Sequence, residues 1–103
     1  MGWEIHITRA EYWPLSEQNP IRQEEWLALI EADPELVIDP FYEGTFARWL
    51  AHKVGRACEY PWFDWHEGRV FTKHPDNRTI AKMLEIASKL SAQVQGDDGE
   101  RYM

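Results

Sequence analysis

Four histidines, one cysteine and one acidic turn are the groups in this sequence suited to chemistry. His6, His52, His66 and His74 offer metal-binding imidazoles, but none forms a close pair such as HxxxH. Cys58 lacks a CxxC partner, so the spacing predicts neither a metal centre nor a cofactor unless ligands converge from distant strands. A lone cysteine without a local nucleophile signature reads as a small buried residue. Asp64 and His66 stand two apart on a strand-prone stretch and share one face, the spacing of an acid-base pair or of a solvent-facing polar stripe. The chain has no phosphate loop, nucleotide fingerprint or GxSxG elbow, so no catalytic residue is assigned.

The turn Gly96-Asp97-Asp98-Gly99-Glu100 admits three readings. Its carboxylates suggest calcium, but the ligand spacing of an EF-hand loop is missing. Asp and Gly are also ordinary turn residues. The third reading is a contact for a basic partner: Gly96 and Gly99 let the loop hold its acids outward, and Val94 anchors it to the core.

Elements must position these groups. With 103 residues, 44% apolar and 28% charged, one domain spanning 1–103 is expected. The net charge of −7 works against phosphate backbones and attracts cationic protein surfaces, so nucleic acid is not expected as a partner. No apolar run approaches the roughly 18 residues that cross a bilayer. The N-terminal stretch has no signal-peptide pattern, and residue 6 of the myristoylation pattern is His6. With the single cysteine, this points to the reducing cytoplasm. Six tryptophans are a large excess for this length, shared between core and interface roles.

Trp3 to Thr8 alternates as a half-buried strand, with Trp3, Ile5 and Ile7 inward and Glu4, His6 and Thr8 outward. Arg9 to Asn19 reads as a loop with Tyr12 and Trp13 tucked back. Pro20 to Asp33 reads as a helix with Trp26, Leu27, Leu29 and Ile30 inward, stopped by Pro34. Leu36 to Ile38 suits a short strand or ordered loop, and Thr45 to His52 a strand. Val54 to Glu59 is a connection. Tyr60 to Lys73 is a hairpin turning at Glu67-Gly68. A second helix follows Pro75, capped by Asp76. Its inward face is Ile80, Met83, Leu84, Ala87 and Leu90, with Lys82, Glu85, Ser88 and Lys89 outside. Ala92 to Gln95 reads as a last strand. The order β–α–β–ββ–α–β predicts an α+β fold: an antiparallel sheet with two helices packed mainly on one face.

Four stretches carry a resemblance: EIHITRAEYW, EEWLALIEADPE, PWFDWHEGRVFTKHPD and IAKMLEIASKLSAQVQGDDGERY. Together the chain resembles a widespread family of small, mostly uncharacterised bacterial proteins. VQGDDGE is the most specific match, and Leu36 to Tyr60 matches poorly. Arg22 departs from the Ser or Thr usual at the start of the first helix. The resemblance implies no activity and no catalytic residue, and by analogy an immunity-protein-like role beside a toxin. The expectation is therefore a non-enzymatic protein-binding domain, of the immunity or inhibitor kind, with a basic, toxin-like protein as partner. Its first contacts are Asp97, Asp98 and Glu100, then Trp62, Asp64 and Trp65 of the hairpin. The rivals are a small enzyme using Asp64/His66 or a metal, and a structural or oligomerisation module.

Overall fold

The computed structural model describes residues 3–42, 44–53 and 59–103. The chain runs β1 (Glu4–Thr8), a 3-10 helix (Trp13–Gln18), α1 (Gln23–Ala32), β2 (Leu36–Ile38), β3 (Ala47–Trp49), β4 (Trp62–His66), β5 (Arg69–Lys73), α2 (Asn77–Lys89), β6 (Gln93–Gly96) and β7 (Arg101–Tyr102). Among the described residues these strands form one seven-stranded sheet, ordered β2-β3-β4-β5-β1-β6-β7. Every neighbouring pair is antiparallel. This is the expected α+β architecture.

Strand alternation gives the sheet two faces. Trp65, Val70, Ile7, Val94 and Tyr102 lie in register across β4, β5, β1, β6 and β7. Their face meets Trp26, Leu29 and Ile30 of α1 and Met83, Ile86 and Ala87 of α2 in one core. Both helices therefore cover this face. The opposite register row is Asp64, Phe71, His6, Gln95 and Arg101. Among the described residues neither α1 nor α2 packs there, only the 3-10 helix, whose Trp13 lies over His6 and whose Ser16 shares a 2.7 Å hydrogen bond with Thr8.

The local reasons are those in the sequence. Glu67 (φ 49°) and Gly68 (φ 84°) both take left-handed backbone, as a two-residue primed hairpin turn requires. A side chain on Gly68 would also meet the Ser16 carbonyl at 2.8 Å. Asp76 caps α2, accepting from the Thr79 amide at 2.8 Å. At α1 the cap side chain is missing, as Arg22 implied; instead Glu25 accepts from the Arg22 amide at 3.3 Å, and Arg9 donates to both Glu25 oxygens.

Several expectations need correction. The Arg9 to Asn19 loop contains the 3-10 helix, because Pro14 begins a tight turn that Ser16 pins to β1. The third strand is shorter than Thr45 to His52. β7 was not foreseen. His6 and Thr8, expected outward, are buried because the 3-10 helix covers them, and Trp3, expected inward, is 41% exposed because it precedes β1. Leu84 is only half-buried; Met83 and Ile86 are the fully buried α2 residues. Lys82, expected in solvent, is buried. Cys58 and most of the Val54 to Glu59 connection lie outside the described residues.

Candidate functional site

The sheet face away from α1 and α2, helix-free apart from the 3-10 helix at one end, carries a ladder of rings. Tyr42 stacks on Phe46 at 4.1 Å, and Phe46 on Trp62 at 5.1 Å. Trp62 meets Phe71 edge-on at 5.6 Å. Register explains this: Arg48 pairs across from Trp62, and Phe71 lies between Asp64 and His6. Arg48 lies over the Phe46 ring (5.1 Å) and the Tyr42 ring (5.9 Å), held by Asp39 at 3.0 Å and the Tyr60 carbonyl at 3.1 Å. Arg69 bridges Phe71 (6.0 Å) and Trp13 (4.9 Å). Trp13 then stacks on His6 at 3.9 Å, 7° from parallel. Such contacts rigidify side chains that stay partly open to solvent. At the β2 end the surface turns openly apolar: Phe41 is 93% exposed, Tyr42 52% and Val37 41%.

The other end of the ladder is the turn after β6. His6 donates from Nε2 to Asp97 Oδ1 at 3.0 Å and accepts at Nδ1 from Arg69 Nε at 3.3 Å. Asp97 Oδ2 accepts from the Glu4 amide at 3.0 Å, and the Asp97 carbonyl accepts from the Trp13 indole at 2.9 Å. Burial lowers the His6 pKa from 6.5; the Asp97 bond opposes this and Arg69 reinforces it. Burial raises the Asp97 carboxyl, but its bonds to the Glu4 amide and His6 outweigh that and hold it low.

By distance, Glu4, His6 and Asp97 could gather round a metal ion, their donor atoms lying within 4.8 Å of one another. Their hydrogen bonding does not fit one. A ligating Nε2 must be unprotonated, with the proton on Nδ1, whereas here Nδ1 accepts from Arg69 and Nε2 donates. Lys73, 4.0 Å from Glu4, adds a second cation. The cluster is a hydrogen-bonded joint between β1, β5 and the turn.

The expected contact residues are thus dispersed. Trp62 and Asp64 lie on the helix-free face, where Asp64 accepts from the Thr45 hydroxyl at 2.7 Å. Trp65 lies on the opposite face, packed against the core with its indole donating to the Ile21 carbonyl at 2.7 Å. Asp97 does not project outward: it is consumed by Glu4 and His6. Asp98 and Glu100 are exposed, with Glu100 accepting from the Asp98 amide at 3.1 Å. A β-carbon on Gly96 would meet the Glu100 carboxylate at 2.3 Å, so that exposed side chain would have to swing aside. Asp64 and His66 share a face, but Asp64 is bound to Thr45 while His66 sits 3.4 Å from Glu67. The alternation of Thr45 to His52 puts Phe46 and Arg48 on one face, but nothing in the sequence groups them with Tyr42 and Phe71. No helix among the described residues is long and apolar enough to cross a membrane.

No family model matches the chain, and the searches of curated proteins and of solved structures found no match.

Proposed function

We propose that this chain is a non-enzymatic protein-binding domain of the immunity or inhibitor kind, docking through the helix-free face of its sheet. The carrying observation is the ordered stack Tyr42–Phe46–Trp62–Phe71 with Arg48 over it, continuing into exposed Phe41 and Val37. Trp, Tyr and Arg are the side chains that dominate binding energy at protein interfaces. Stacked and ion-paired before binding, they lose little rotamer freedom on contact. The net charge of −7 steers a cationic partner toward the domain, with Asp98 and Glu100 as rim charges. The resemblance to small bacterial proteins supports a toxin as that partner. Sequestration needs no catalytic group; the protein works by occupying its partner's surface.

The test uses the partner purified from the native host with the intact chain. A Tyr42→Ser/Trp62→Ser double variant is compared with wild type by calorimetric titration, after circular dichroism shows that both are folded. Affinity falling by about a thousandfold supports the reading, since two central aromatic anchors cost about 2 kcal/mol each and every 1.4 kcal/mol or so is tenfold. Unchanged affinity rejects this face as the interface.

A further inference from the structure

We propose that His6 is a proton-operated latch that joins the acidic turn to the aromatic face and releases Arg69 when it takes up a proton. His6 is fully buried, and both ring nitrogens are used. Nε2 faces Asp97 and Nδ1 faces Arg69 Nε. A neutral imidazole has one donor and one acceptor. This arrangement therefore holds the neutral ring in its Nε2–H form.

The groups facing the ring come from each element packed on it. Glu4 of β1 lies 3.9 Å from Nε2, with Lys73 of β5 beyond it at 4.0 Å. Asp97 comes from the turn after β6, and Arg69 from β5, with Glu67 of the hairpin turn 3.9 Å from its guanidinium. Trp13 of the 3-10 helix covers one ring face and carries no charge. Gln95 of β6 pairs across from His6 and is neutral; its side chain is spent on the Trp13 amide and the Glu11 carbonyl.

Protonation puts a hydrogen on Nδ1. Two donors and two cations then face each other at the Arg69 contact, with no acceptor between them. Glu4 and Asp97 hold the imidazolium on its other side, so Arg69 is the group that leaves. Its guanidinium lies over Trp13 and Phe71. Its departure uncovers both rings at the centre of the helix-free face, while the Asp97 joint strengthens. Acidification thus changes the face without unfolding the sheet.

The test is nitrogen-15 NMR of the intact chain, following the His6 ring, the Arg69 Nε–H and the Trp13 indole from about pH 7.5 to about pH 4.5. The latch predicts an Nε2–H ring at neutral pH. It also predicts Arg69 and Trp13 signals that move with the His6 midpoint. Arg69→Met raises that midpoint, because the cation that lowers it is gone. His6→Asn, which keeps an acceptor toward Arg69, leaves the Arg69 signal independent of pH in this range. An Nδ1–H ring at neutral pH overturns the proposal. So does a His6 titration that leaves Arg69 unmoved, or one whose midpoint is the same in Arg69→Met.

Discussion

Lys82 of α2 places its ammonium 2.7 Å from Asp33 Oδ2, at the end of α1, with both side chains almost wholly out of solvent. Glu85 and Glu35 accept from the same ammonium at 2.6 and 3.2 Å. Burial lowers the Lys82 pKa, but these carboxylates outweigh it and hold the group charged. Burial raises the Asp33 carboxyl, and the Lys82 bond reverses that. This cluster pins the two helices over the core, on the sheet face opposite the one that the 3-10 helix partly covers.

Lys82→Met leaves Asp33 buried without its cation. It should lower stability by about 3–5 kcal/mol in urea unfolding. Adding Asp33→Asn should recover part of the loss, because the stranded charge goes with it. A Lys82→Met midpoint equal to wild type would show that the pair does not hold the helices.

That cluster also marks where the sequence stops being legible. The hairpin and α2 were readable because their signals are local: Glu67-Gly68 turns, Asp76 caps, and apolar residues recur with the helical period. Lys82 looked like solvent because a lysine on a polar stripe usually is; its partners Asp33 and Glu35 lie 49 and 47 residues away. His6 looked outward for the same reason. Alternation assigns faces, but it cannot say that a 3-10 helix will cover the polar one. Asp97 looked like a free turn acid, and its partners Glu4 and His6 lie 93 and 91 residues earlier. β7, two residues long, is too short to show a period.

The core of α2 rests on Met83 and Ile86 rather than Leu84. Met83→Ala should cost about 2–5 kcal/mol in denaturant unfolding. Leu84→Ala, at a half-buried position, should cost clearly less. Equal costs would place Leu84 deeper than the packing described.

The acidic turn divides into a structural acid and two exposed ones. Asp97→Asn should lower stability by about 1–3 kcal/mol, since it weakens the acceptor shared by the Glu4 amide and His6. Asp98→Asn with Glu100→Gln should leave stability nearly unchanged and slow association with a cationic partner at low salt. Stopped-flow rates at two ionic strengths check this; parallel salt slopes in wild type and double variant would remove the turn from the rim.

Stability should fall on acidification in two stages. The His6 pKa is lowered in the fold, so the unfolded chain binds the proton first. Stability held above about pH 6.5 is lost as pH drops through the folded midpoint. Asp97 and Asp33 are also lowered, so their contribution is present above about pH 4 and is lost as pH falls through their folded values. Urea midpoints against pH in wild type and His6→Asn separate the stages; identical curves above about pH 5 would remove the His6 contribution.

The most direct test of the docking face is amide and side-chain NMR of the intact chain as purified partner is added. The account predicts that shifts and lost intensity concentrate on Val37, Tyr42, Phe46, Arg48, Trp62 and Phe71, with the outer surfaces of α1 and α2 unmoved. Perturbation centred on α1 and α2, with the Trp62 indole unchanged at saturation, would contradict it.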